Sequence, residues 1–513
     1  MRNPIPHPQG EPETTALVPH AGPVAVDTFG GRVHVEWDAQ AAVTPLGQRP
    51  FFTEFLRLGG RFDAWVESCP LRLTSPNAPS NRDVLGTAVL AVLSGHRRYA
   101  HINAWRGETI NASLRGMEAV VSEDSVRRNL GKLDEADGVA WMQDHLGVCV
   151  APVLGVPWIL DADVTVKPLY GHQEGAVKGY NPHKPGRPSH TDHTDCVAGL
   201  RLILDVEVLA GNQTASKYSA PGLWELLARL PRAHWPVCIR GDRDWGNQAN
   251  MARAEQAGIA YLFKLRMTSG VKKVVERLIR DAEWCDAGQG WQGAETMLRL
   301  SGWSRARRAI VLRRRVKADL AVVDHGDPEQ LRLSFAELTD QTLVDEYAVL
   351  VTSLTHEVLT VAQLDRDRAD AENPFDELKN HWGWGGFTTR DIKRCRFMAR
   401  ITALTYNWWS LFVRLADPRQ HTEAITSRPL LLSAPARLTR HGGQTRLTIS
   451  HPHAEAGWVE ATCRDIAAFF GTLRRTAEQL TPLQCWYRLL SRALVKSLHG
   501  RQLQPPAALP APA

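Results

Sequence analysis

From about Pro50 to Leu146 apolar residues recur three and four apart, in FFTEFLRLGGRFDAWV and again in NRDVLGTAVLAVLSGHRRYAHINAW, the period of one face of an α-helix. This stretch is predicted to be helical. Near residue 150 the pattern changes to short apolar runs separated by loops and helices, as in an α/β domain. VAGLRLILDVEVLAG (197–211) predicts a strand, LWELLARLP a helix, and WPVCIRGDRDWGN a strand with a charged end. Between about 265 and 355, TMLRLSGW, RAIVLRRRVK and EYAVLVTSL predict antiparallel strands with turns between them, interrupting the alternation before a helical pattern resumes at 371. A less regular region with Gly442-Gly443 follows, and CWYRLLSRALVKSLHG is the last predicted helix.

The predicted organisation is therefore a flexible arm (1–24), a helical N-terminal domain (25–150), a first part of an α/β core (151–264), a β-rich insertion (265–355), the second part of the core (356–420), a C-terminal region (421–500) and a disordered proline-rich tail (501–513). Inside the helical domain, SEDSVRRNLGKLDE opens on Ser122, whose hydroxyl suits a helix start, and then presents Arg127, Arg128, Asn129 and Lys132 along a short helix. That pattern fits the second helix of a helix-turn-helix, and equally an amphipathic helix with a solvated basic face.

Composition narrows the function classes. With 513 residues, 23% charged and 43% hydrophobic, the chain reads as a globular protein with room for several cores. Its formal net charge of +6 permits nucleic acid without requiring it, so local clustering matters more. Eight scattered cysteines with no CxxC pair argue against a zinc ribbon or a disulfide scaffold and fit a reducing compartment. The N-terminus lacks an apolar signal core, and no run approaches the roughly 18 apolar residues of a membrane span. A cytoplasmic protein without a membrane partner is expected.

The candidate chemistry begins in LDADVTVKPLYGHQEGAVKGYNPHKPGRPSH (160–190). Asp161 and Asp163 fall two apart after an apolar run, which in a strand puts both carboxylates on one face. Lys178, His183, Lys184 and Arg187 follow, so the stretch reads either as a metal site beside a polyanion or as a surface turn with solvated charges. Asp242 stands after the apolar run 237–239, and Glu372 lies in DRADAENPFDELKNHWGWGG. Arg368, Glu372 and Lys379, spaced four and seven apart, would share one side of a single helix. Two strand-end aspartates and a glutamate from a later helix are how an RNase H-like site holds two divalent cations. Hard oxygen ligands suit Mg²⁺, one ion activating the attacking oxygen and the other stabilising the leaving one. His190, Asp192, His193 and Asp195 are read as a polar loop and not as a zinc site, since no further ligands stand at suitable spacing.

Taken together these stretches resemble the bacterial insertion-sequence DDE transposases, in the branch with a β-rich insertion between the second aspartate and the glutamate. The resemblance covers roughly residues 50 to 490 and rests on DADVT with its YGHQEGAVKGYNP continuation, on RGDRDWGN, and on R-x3-E-N-x5-K. It implies an α/β fold with an RNase H-like core interrupted by a mostly β insertion and preceded by a helical DNA-binding domain. Asp163 would be the first catalytic and metal-binding acid, because the family has threonine two residues later, here Thr165; Asp242 would be the second and Glu372 the third. Asp161 would be a supporting neighbour. Arg368 and Lys379 would contact transposon-end phosphates, although the tyrosine that opens the related signature is Asp365 here.

The resemblance also implies the partners: double-stranded DNA, as terminal inverted repeats and as target, bound by a homodimer with two Mg²⁺ per site and Mn²⁺ able to substitute. Lys178, Lys184 and Arg187 would approach phosphates from the loop, and Arg127, Arg128 and Lys132 from the helical domain. WSRARRAIVLRRRVK (303–317) interleaves arginines with apolar residues, as a basic DNA-binding ribbon or an ordinary amphipathic hairpin would. Related transposases stack a tryptophan from this insertion on a flipped base, and Trp303 or Trp291 would take that place. The expected activity is cleavage at the element's ends and joining of the 3′-OH to target DNA. The alternatives are a catalytically inactive transposase-derived DNA-binding protein and a metal-dependent nuclease without strand transfer.

Overall fold

The computed structural model describes residues 23–38, 40–181, 184–317, 343–419, 421–475 and 479–505; the side chains of Ser216, Lys317, Leu343 and residues 369–374 lie outside that description. An exposed hairpin, β1 (Val24–Thr28) and β2 (Gly31–Val35), is followed by the short strand β3 (Val43–Thr44). Helices then fill the segment whose apolar period predicted them: α1 (Arg49–Leu58), α2 (Arg61–Glu67), α3 (Asn81–Leu93), α4 (Ile110–Ser113), α5 (Glu123–Lys132) and α6 (Glu135–Val150). Ser80, Ser122 and Asp134 cap α3, α5 and α6, each side chain accepting a backbone N–H of the first turn.

A ten-stranded sheet forms the centre. Its strands are β4 (Ile159–Pro168), β5 (Val177–Lys178), β6 (Pro188–Val197), β7 (Leu202–Ala210), β8 (Cys238–Gly241), β9 (Ala260–Lys264), β10 (Cys285–Gly288), β11 (Trp291–Leu298), β12 (Arg307–Lys317) and β13 (Leu343–Thr352). Helices α7 (Ala220–Ala228), α8 (Gln248–Ala257) and α9 (Ser269–Asp281) connect them. β6 runs antiparallel to both β4 and β7; β4, β8 and β9 run parallel, with α8 as the crossover between the last two. The strands of the segment expected as a β-rich insertion are antiparallel and continue this sheet, because β13 pairs with β9 through Leu350↔Lys264, Val351↔Phe263 and Thr352↔Leu262. Buried Ala309, Ile310, Val311 and Leu312 show why: β12 is covered on both faces, as an interior strand is.

The C-terminal half supplies α10 (Val358–Asp367), α11 (Ala369–His381), α12 (Ile392–Ala416), α13 (Ala424–Leu431), the hairpin β14 (Ala436–His441) and β15 (Gln444–Ile449), α14 (Ala456–Arg475) and α15 (Pro482–Ala493). Gly442 and Gly443, at φ of 56° and 75°, make the turn of that hairpin. Helix α12 is buried along nearly its whole length. It meets the N-terminal helices through aromatic contacts, Phe52 on Trp409 at 5.3 Å, Phe52 on Phe412 at 5.5 Å and Trp65 on Trp408 at 5.7 Å, so that residues 49–150 and the C-terminal helices share one core.

The segment from His190 to Asp195, expected as a polar loop, is the middle of β6. His190 and Asp192 are fully buried there. The repeated His-Thr-Asp triplet looks like a loop by composition, yet each residue is paired across the ladder with β4 and β7, which satisfies the backbone that a loop would leave to water.

Candidate active site

The parallel pairing of β4 and β8 sets Asp161 opposite Arg240 and Ala162 opposite Gly241. One step further along each strand stand Asp163 and Asp242. Asp161 is buried and taken up by Arg240, whose Nη1 also donates to the Leu364 carbonyl at 2.6 Å and so ties α10 to the sheet. Asp163 lies on the same face of β4 as Asp161 and accepts from the Val164 amide at 2.8 Å. Asp242 accepts from the Asp244 amide at 2.9 Å. Burial, and after it the neighbouring Asp244 carboxylate, pushes the Asp242 carboxyl above the ordinary aspartate value.

Arg368 closes the site from above. Its Nη1 lies 3.3 Å from Asp163 Oδ2, with both side chains 13% exposed. Burial pulls the guanidinium down, but Asp163, Asp242, Asp365 and Asp161 together hold it above the ordinary arginine value. The spacing of Arg368, Glu372 and Lys379 predicted one continuous helix; instead α10 stops at Asp367, Arg368 is the joint, and α11 starts at Ala369. The Arg368 amide bonds three residues back, to Asp365, and this tightened turn accompanies a guanidinium aimed at Asp163. Glu372 belongs to α11, and its side chain lies outside the described residues. Lys379, half-buried, is faced by Asp192, Asp376 and Asp163.

Residues that the sequence reading did not single out hold α11 in place. Glu377 is 1% exposed and fully used: it accepts from Trp382 Nε1 at 3.0 Å and the Ala424 amide at 2.8 Å, and pairs with His421 Nε2 at 2.7 Å. Lys167 donates to the Gly386 carbonyl at 2.7 Å, and the Trp384 indole donates to Asp192. The signal for Lys167 was present, since Asp161, Asp163, Thr165 and Lys167 alternate on one strand face. Glu377 and Trp384 gave none, because their partners lie 44 and 192 residues away.

The candidate DNA contacts fall into two groups. Lys178 on the edge strand β5 is exposed; Lys184 and Arg187 are exposed with Tyr170 between them, 5.0 and 4.7 Å from its ring centroid. Arg128 and Lys132 are exposed on α5, and Arg127 pairs with Asp124 on the same helix. Trp303, in contrast, is 7% exposed, lies in the main core and carries the Arg307 guanidinium at 5.5 Å from its ring centroid. Four of the five arginines of β12 likewise have acidic partners: Arg307 with Glu255 at 2.7 Å, Arg314 with Glu346 at 2.7 Å, Arg315 with Asp345 at 3.5 Å, and Arg308 with Glu295; Arg313 instead donates to Gln292 at 3.0 Å.

Among the described residues no three histidine, cysteine or acidic side chains gather as a metal site. Asp163 and Asp242 nevertheless make a pair of hard oxygen donors, one step beyond the paired positions Ala162 and Gly241. The donor set therefore fits a hard divalent ion, with position 372 on the helix that also carries Lys379.

The family model described as "Transposase DDE domain group 1" matches residues 75–469, and the chain belongs to that family. Comparison with curated proteins gave no match. The solved structure of the piggyBac transposase synaptic complex with hairpin DNA is similar at a TM-score of 0.37 and 10% identity, over 87% of this chain and 84% of that chain; so loose a likeness carries no argument.

Proposed function

We propose that this transposase serves an insertion sequence, binds the terminal inverted repeats as a homodimer, cleaves them with two Mg²⁺ ions and joins the freed 3′-OH to target DNA. The observation that carries the reading is the β4–β8 register, which puts Asp163 and Asp242 at adjoining positions with Arg368 against them. The strand order β7-β6-β4-β8-β9, three antiparallel and then two parallel, supports an RNase H-like core. In that core Asp163, Asp242 and Glu372 would hold the ions, which when bound supply activation of the attacking oxygen and charge neutralisation at the leaving one. Arg368 and Lys379 would hold the scissile phosphate by charge. In the first step a water oxygen bonds to phosphorus and the 3′-oxygen leaves with a proton; in the second that hydroxyl attacks a target phosphate and displaces a target 3′-oxygen. The exposed cations of α5 and of the 178–187 loop would contact flanking phosphates.

The test is incubation of the full chain with the element's own end DNA and Mg²⁺, with nicks mapped on each strand. Strand-specific cleavage at the end is expected. Pre-cleaved ends then separate a transposase from a nuclease: joining to target supports the reading, and cleavage without joining replaces it.

A further inference from the structure

The hairpin β14–β15 carries charge that the fold does not compensate. From Ala424 to Ala454 the chain has no aspartate or glutamate, yet Arg437, Arg440 and Arg446 stand on the two strands. All three are exposed, and none has an acidic partner among the described residues; Arg446 Nη2 donates to Gln444 Oε1 at 3.2 Å. Other strand arginines are neutralised: Arg32 of the β1–β2 hairpin pairs with Asp27 at 2.8 Å, and Arg307, Arg308, Arg314 and Arg315 of β12 meet carboxylates.

The register sorts the hairpin's side chains onto two faces. Ala436, Leu438, Leu447 and Ile449 share one, where Ala436 is buried and both leucines are half-buried. Arg437, Thr439, His441, Gln444, Arg446 and Thr448 share the other, and all six are exposed. Every side chain of that face can donate a hydrogen bond, and none is a carboxylate. Its two arginines sit diagonally, each opposite a threonine, which avoids the repulsion of like charges directly opposed. The hairpin is also rooted in the body. β3 pairs with the start of β14, the Leu438 amide donates to the Ala42 carbonyl at 2.9 Å, and Gln48 Nε2, just before α1, lies 2.6 Å from His451 Nε2. Helix α13, which precedes it, is tied to α11 through the Ala424 amide and Glu377.

We infer that β14–β15 is a DNA-binding ribbon, its polar face lying in the major groove of double-stranded DNA with Arg437 and Arg446 against phosphates. Two strands about 4.8 Å apart fit a groove about 12 Å wide. A protein partner would meet no large apolar side chain on this face, whereas a polyanion meets donors alone. The inference rests on the reading of the chain as a transposase that binds DNA, and it puts a contact on elements that carry none of the acids.

The experiment compares the full chain with Arg437→Gln, Arg446→Gln and the pair, in anisotropy titrations against the element's end duplex over a range of salt. The pair should lose about tenfold in affinity, and the salt slope should fall by about one per arginine. Arg437→Lys with Arg446→Lys should keep most of the slope, and Arg32→Gln should change affinity by less than about twofold. Unchanged affinity and slope in the Gln pair, while Lys184→Ala with Arg187→Ala still weakens binding, would overturn the inference and leave the transposase reading. Equal binding of end and unrelated duplex, lost together in the Gln pair, would leave the ribbon and remove end recognition instead. A wild-type chain that binds neither duplex removes both. A second readout needs no variant: phenylglyoxal modification of arginines with peptide mapping. Duplex DNA should slow Arg437 and Arg446 several-fold while Arg464, exposed on α14, keeps its rate. Protection by RNA and not by duplex DNA, or protection that rises with protein concentration in the absence of DNA, would make the partner RNA or a second copy of this chain and overturn the inference.

Discussion

Arg240 and Asp161 meet as a two-pronged buried ion pair, Nε to Oδ1 at 2.6 Å and Nη2 to Oδ2 at 2.7 Å, with both side chains 4% exposed. The pair joins directly opposite positions of β4 and β8, so it fixes the register that sets Asp163 beside Asp242. Removing one partner strands a buried charge. Arg240→Ala should therefore destabilise the protein by roughly 3–5 kcal/mol, whereas replacing both residues by apolar ones of similar size should cost much less. Urea unfolding of the two variants measures the difference, and equal losses would mean that the pair is not the source.

Asp163→Ala, Asp242→Ala and Glu372→Ala should each abolish cleavage and leave end binding close to wild type, since most affinity comes from phosphate contacts elsewhere. Gel-shift titration beside nick mapping checks both halves. Full cleavage by any one variant would remove that acid from the site.

Arg368→Lys keeps the charge but loses the planar fork that reaches Asp163, so cleavage should fall by more than about tenfold even with charge preserved. Arg368→Ala should in addition lower end-DNA affinity and reduce its salt slope by about one. An unchanged slope would show that Arg368 serves only the Asp163 carboxylate.

Lys184→Ala with Arg187→Ala should weaken DNA binding and flatten its salt dependence by about two charges, because both cations are exposed beside Tyr170. Arg314→Ala and Arg315→Ala, whose partners are Glu346 and Asp345, should change affinity by less than about twofold. The reverse ranking would return the β12 ribbon to the DNA interface.

Glu377 is held below the ordinary glutamate value: burial pushes it up, but His421, Trp382 and the Ala424 amide outweigh it. A carboxyl whose folded value lies below its unfolded one adds stability above the unfolded value, and that stability is lost as the pH falls through the folded one. Glu377→Gln should thus be destabilised at pH 7 by about 1–3 kcal/mol, with the gap to wild type closing below about pH 4.5. Melting curves across pH test this, and a constant gap would argue against the charged form.

By itself the sequence determined what is local. The apolar period of residues 50 to 146 specifies helices, Ser122 caps α5 as its position predicts, and apolar runs deliver Asp161, Asp163 and Asp242 from strands, because these patterns depend on neighbours within a turn or a pleat. Tertiary structure decided whatever depends on a distant partner. His190 to Asp195 became a buried strand because β4 and β7 pair with it, the strands of the 265–355 segment extend the sheet because β13 finds β9, and Arg307, Arg308, Arg314 and Arg315 of the basic ribbon meet Glu255, Glu295, Glu346 and Asp345. Asp161 and Asp163 differ in the same way. Two residues apart on one strand face, they are nearly equivalent as sequence, yet the β8 register gives one of them Arg240 as a neighbour and leaves the other at the position adjoining Asp242.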